Sequence, residues 1–136
     1  MVRSGCPLQI GLMSMYLWVG LGSAMGGMLR HAVSLWALAR WPGVFPWGTV
    51  AVNVSGSLAI GFLFFAMGSD NKWRELVLVG FLGGYTTFSA FSLQSLNLMR
   101  AGQWTAAIAN VAGSVVLCLG AVALGFWLAR VVFPGR

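Results

Sequence analysis

Four apolar stretches, at about 15–39, 47–67, 75–99 and 104–129, fill nearly all of this 136-residue chain, and the links between them are as short as Arg100-Ala101-Gly102. Crossing about 30 Å of hydrocarbon takes about 20 helical residues, so each stretch is long enough to span a bilayer. A helix satisfies its own backbone groups where no water can. The pattern predicts an all-α integral membrane protein of four transmembrane helices, a single domain over 1–136 with 1–14 as an N-terminal tail. Charge agrees: 7% of the residues are charged and mean hydropathy is +0.86, against about 25% charged in a soluble domain. Arg3 ahead of an apolar run and Gly22-Ser23-Ala24 superficially resemble a signal peptide, but three further spans follow and the first helix runs on past Ala24.

The same composition excludes several functions. The eight basic residues are scattered, with no basic patch beside stacking aromatics, so the net charge of +6 does not point to nucleic acid. They mark the ends of spans, as do Trp41, Trp47, Trp73 and Trp104. An enzyme would have to work with His31, Asp70 and Glu75, and none is predicted. Cys6 and Cys118 form no disulfide framework and no metal cluster. With four spans, Arg3, Lys72, Arg74, Arg130 and Arg136 fall on one side and Arg30, Arg40 and Arg100 on the other. That small difference sets orientation only weakly. Two arrangements follow, one inserted with the five-residue side in the cytoplasm and one inserted both ways as an antiparallel dimer. Small residues four apart, Gly22 and Gly26, Ser23 and Gly27, Ala109 and Gly113, suit close helix contact.

Polar residues at membrane depth carry the chemistry. Thr49, Asn53 and Ser57 share one face of the second span, and Asn110, Ser114 and Cys118 repeat that spacing in the fourth. Asn53 lies about 9 Å from the nearer helix end. The third span holds GFLGGYTTFSAFS at 80–92, a polar, glycine-bearing stretch that predicts a mid-membrane break at Gly83-Gly84. No span has a central carboxylate, which cation pores and proton-coupled transporters use. Hydroxyl and amide donors with Arg30, about 20 Å along the first span, suit an anion route. Phe88 and Phe91 share a face, and their positive ring edges suit an anion as well as ordinary packing. The break likewise has two readings. Its freed carbonyls coordinate a cation, as in broken transporter helices, or threonine hydroxyls satisfy a simple kink.

The ordered blocks GSAMGGMLRH at 22–31, PWGTVAVNVSGSLAIGF at 46–62 and GFLGGYTTFSAFS at 80–92, with the small-residue span around Gly113-Ser114, resemble the Fluc/CrcB family of fluoride channels. The resemblance covers nearly everything after Met15. It implies an antiparallel, dual-topology homodimer in the bacterial inner membrane that passively exports fluoride, which enters acidified cells as neutral HF and dissociates inside. It implies Phe88 and Phe91 as pore phenylalanines, with Asn53, Thr49, Ser89, Ser92 and Ser114 along the pore and Arg30 at a vestibule. It also implies a structural, non-transported sodium ion (Na+) held by the carbonyls of Gly83 and Thr86. Beyond fluoride and its own second copy, the partner is membrane lipid. Ala90, Gln94, Asn110 and Cys118 depart from the family pattern and bear on the polar track. A small multidrug-type cation/proton antiporter and a non-transporting assembly subunit are the rival readings, and the first lacks its membrane carboxylate.

Overall fold

A computed structural model describes residues 7–68 and 73–135. Arg3, Cys6, Asp70, Lys72 and Arg136, which enter the charge and cysteine readings, lie outside them, as does the start of the N-terminal tail. The described residues are helical with no strand: α1 (Pro7–Arg40), α2 (Trp47–Met67), a π-helical segment (Glu75–Leu82), α3 (Gly83–Tyr85), α4 (Phe88–Arg100) and α5 (Trp104–Val132).

Three of these are long and apolar enough to cross a membrane: Trp47–Met67, Glu75–Arg100 taken through its break, and Trp104–Val132, with mean hydropathies of 1.9, 1.6 and 2.3. Only 17%, 22% and 17% of their apolar windows are buried, so most of these side chains face outward, where hydrocarbon serves as well as a protein core. This is a multi-pass membrane protein. The first helix spans 34 residues, about 50 Å at 1.5 Å per residue, and begins ahead of the expected start at 15. Arg30 and His31 interrupt its apolar run, and it is not among the three.

Helix pairing sets the architecture. The most extensive contact is α2 along α5, followed by α1 along the π-helical segment. In the second seam Gly22 faces Leu76, Gly80 and Phe81, and Gly26 faces Phe81 and Tyr85. The facing positions 76, 81 and 85 step by five and then four, the longer repeat of i→i+5 winding. A side chain at Gly26 would run into the Phe81 carbonyl. The first seam closes in the same way, with Gly61 against Val122 and Gly125 against Leu58. Gly27 and Gly113, expected at close contacts, meet no neighbouring backbone within this chain.

Turns close where their residues allow it. Gly102, at φ +73, takes the left-handed conformation that ends α4, and Gln103 N donates back to Leu98 O at 2.9 Å. Trp18 and Trp73 meet edge to face at 5.8 Å at one end of the molecule, and Trp36 and Trp41 at 5.3 Å at the other. Each pair joins one tryptophan expected at a span end, Trp73 or Trp41, to one that was not, Trp18 or Trp36.

Candidate functional site

The third crossing is broken, but not at its glycines. Gly83 has φ −64 and ψ −38, ordinary helical values. Gly84 packs against the backbone of Ser23, where a Cβ would not fit. The helix instead opens at Thr86 (ψ 155) and Thr87 (φ −149, ψ 119). The glycine pair keeps α3 tight on α1, and the two β-branched residues behind it take the extended backbone they favour.

Asn53 holds that break. Its Nδ2 donates to Thr87 O at 3.0 Å, and its Oδ1 accepts from Thr87 N at 2.8 Å. One side-chain amide thus pairs both backbone groups of one residue, which the interrupted helix could not do. Thr87 then caps the next helix, its Oγ1 accepting from Ala90 N at 3.2 Å. The donors are rerouted with a specific consequence. In a continuous helix Thr87 N would serve Gly83 O and Ala90 N would serve Thr86 O. Both N–H groups go to side chains instead. Thr86 itself stays tied to the preceding turn, its N and Oγ1 both donating to Leu82 O at 3.0 and 2.9 Å.

Beside the break an open groove of about 280 Å³ runs between α2, α4 and α5. Asn53, Thr86, Phe88, Phe91, Ser114 and Cys118 are among its walls. No acidic or basic side chain lines it. The rings of Phe88 and Phe91 lie 5.3 Å apart, tilted by 46°. Phe91 is buried, whereas Phe88 is 78% exposed in the single chain and forms an open flank. A tilted pair of this kind presents ring edges as well as faces, and the edges carry the positive end of the quadrupole.

The expected site residues therefore divide. Phe88, Phe91, Asn53, Ser114 and Thr86 come together at the groove. Thr49 does not: it lines a separate cavity with His31, Ser34 and Gln94. Ser89 pairs with Thr87 (Oγ to Oγ1, 3.3 Å), and Ser92 donates to Phe88 O at 2.9 Å. Neither lines the groove. Arg30 is half-buried and lines neither cavity. Asn110 is fully buried, donating to Ser95 Oγ at 2.9 Å and accepting weakly from Ser114 Oγ at 3.5 Å. That chain ties α4 to α5 and fixes the Ser114 wall.

Two residues escaped the sequence reading. Thr87 links the break to Asn53, and Gly56 lets Thr86 and Tyr85 approach α2. A signal for Gly56 was present: it follows Asn53 by three residues and so lies on the same helix face.

A family model described as CrcB-like protein, Camphor Resistance (CrcB), matches residues 17–126. The chain is 48% identical over 123 residues to the fluoride-specific ion channel FluC of Methylocella silvestris, covering 86% of this chain and 91% of that one. It is 48% identical over 119 residues to FluC of Opitutus terrae, covering 83% and 90%. Against FluC of Coxiella burnetii (strain Dugway 5J108-111) the figure is 43% over 119 residues, covering 84% and 96%. The broken third crossing, its asparagine clamp and these likenesses lead to one conclusion: this chain belongs to the CrcB family.

Proposed function

We propose that this protein is a fluoride channel that lets fluoride leave the bacterial cytoplasm passively across the inner membrane, and that it is not an enzyme. The observation that carries this reading is the groove at the break, where a tilted phenylalanine pair and the Asn53 clamp meet without an acidic side chain. Relatives at 43–48% identity are named as fluoride-specific channels. A desolvated fluoride needs donors and positive ring edges on all sides. The groove supplies these on one side only, because Phe88 is open. A second copy of the chain completes the wall in this reading, in an antiparallel homodimer whose subunits each cross four times, α1 included.

Phe88 and Phe91 present ring edges to the ion, and Ser114 offers a hydroxyl. Asn53 positions the break through Oδ1 and one Nδ2–H, and the second Nδ2–H of the amide remains a donor for an ion in the groove it lines. Arg30 draws anions toward the entrance. The carbonyls of Gly83 and Thr86, whose helical donors are diverted, are hard neutral oxygens of the type that holds sodium. Sodium bound there would supply a fixed positive charge beside the break. The antiporter alternative lacks its carboxylate, since Glu75 starts the π-helical segment at the end of the span.

Purified protein in liposomes, followed with a fluoride electrode and a chloride electrode in parallel, tests the reading. Fluoride efflux without chloride efflux is the expected outcome. Well-folded dimers that pass no fluoride would sink it.

A further inference from the structure

One helical turn outward from the groove lies the cavity of about 340 Å³ that Thr49 lines. Two helices lead to it independently. On α2, Thr49 stands four residues before the groove residue Asn53 and on the same face, about 6 Å nearer the helix start. On α4, Gln94 follows the groove residue Phe91 by three, about 4.5 Å nearer the helix end. Consecutive crossings run in opposite directions, so both steps lead toward the same side. The cavity is an antechamber of the groove.

His31 is the one ionisable side chain among the residues lining this antechamber, and it is exposed in the single chain, where protons reach it. Beside it α1 adds Ser34, the 41–46 link and the first turn of α2 add aromatic and neutral residues, and α4 adds Gln94. The charged residues of these elements are Arg30, half-buried and outside the cavity, and Arg40 and Arg100 at the ends of α1 and α4. Arginine holds its charge throughout, so these do not switch with pH. Two further elements pack on α1. Tyr85 of α3 is hydrogen-bonded to Ser55 at 3.0 Å and does not line the cavity, and Glu75 opens the third crossing at its opposite end. Gln94 Oε1 is buried with no hydrogen-bond partner, the one such side-chain atom among the described residues. An acceptor left unpaired costs about 1–3 kcal/mol, and the water that an arriving anion carries supplies the missing O–H.

We infer that His31 sets the charge of this antechamber: its imidazolium form draws fluoride in, so protonation raises conductance. The inference rests on the channel reading. Imidazole is the side chain that ordinarily changes charge between about pH 5 and 8. With the ring protonated, the antechamber holds one positive charge and no acidic side chain to offset it. With the ring neutral, only uncharged groups such as the Ser34 and Thr49 hydroxyls face the anion. His31 acts by its field rather than by contact with an ion in the groove, which it does not line. The fall in pH that drives HF into a cell thereby also widens the exit for fluoride.

Fluoride currents across planar bilayers test this, because neutral HF carries no current. Conductance is read at about pH 5.5 and about pH 8, which bracket the imidazole range, and at low ionic strength, where the field is least screened. The lower pH should give about threefold more conductance, the scale of one unit charge acting through water at short range. Salt at about 1 M should shrink that ratio. His31→Asn, always neutral, and His31→Lys, always positive, should each bring the ratio to about one. Equal conductance at the two pH values in the unaltered protein overturns the inference, and so does a ratio that survives His31→Asn. The chain has one histidine, so protein without a histidine tag gives a single ring Cε1–H signal by NMR. Replacing gluconate with fluoride should move that signal at the lower pH and leave it in place at the higher. A signal indifferent to fluoride at both overturns the inference even if the variants fail to fold. Absence of current from every protein would count against the channel reading instead, and the ring signal would still decide whether His31 meets an anion.

Discussion

Asn53 pairs the N–H and the C=O of the buried Thr87 with a single amide, two bonds that the interrupted helix cannot make. Asn53→Ala strands both groups, at about 1–3 kcal/mol each, so both thermal stability and fluoride efflux should fall. Asn53→Asp keeps the acceptor for Thr87 N but loses the donor and adds a negative charge beside the groove. Its efflux should drop below that of Asn53→Ala in the same liposome assay, and equal rates would argue against an anion path beside Asn53. The two phenylalanines separate by burial. Phe91→Ile removes a buried ring, so it should lower both stability and efflux. Phe88→Ile acts on a ring that is 78% exposed in the single chain, so efflux should fall by about tenfold or more, the scale of one lost interaction of about 1.4 kcal/mol. Unchanged efflux in both variants would remove the ring-edge argument.

At the scale of elements, the chain uses its small residues to bring backbones together and its polar residues to repair what the break leaves open. The α1 seam depends on Gly22, Gly26 and Gly84, each placed where a side chain would meet backbone. Gly26→Val should separate α1 from the π-helical segment, with an overpacking cost of about 1–3 kcal/mol and a lower midpoint in a thermal unfolding experiment read by size-exclusion. Gly20→Val, where the structure shows open space, should leave that midpoint nearly unchanged. If the two variants behave alike, the seam does not control stability. The π winding belongs to the same account, because it lets positions 76, 81 and 85 all face α1.

For the whole molecule, the groove stays open at Phe88, 78% exposed in the single chain, and the proposed antiparallel homodimer is what would close it. If sodium braces that assembly, prolonged dialysis against a large organic cation should abolish efflux, and returning sodium should restore it. Efflux that persists without sodium would leave the carbonyls of Gly83 and Thr86 as a structural kink. A reporter on the C-terminus should be found on both sides of the membrane in similar amounts under the antiparallel reading. A single orientation would count against it. Chain-wide composition already made the membrane reading firm, because 7% charged residues cannot surround a soluble core of this size.

Much of the site was legible in residue order. Helix periodicity alone aligns Thr49, Asn53 and Ser57, and the absence of central carboxylates narrows the chemistry to neutral donors. The break in the third crossing was also predictable from its glycines, threonines and serines, but its place was not. Glycine tolerates both a helix and a break, so only the packing of Gly84 on Ser23 decided that the pair stays helical and that Thr86-Thr87 opens. Periodicity could not show that Thr49 belongs to a different cavity from Asn53, because sharing a face does not fix which neighbours stand opposite. By itself, then, the sequence determined the solvent and the helical class, and named the polar and aromatic candidates for an anion path. Tertiary structure decided which of them meet, since that depends on how closely the helices pack and where each one's hydrogen bonds run out.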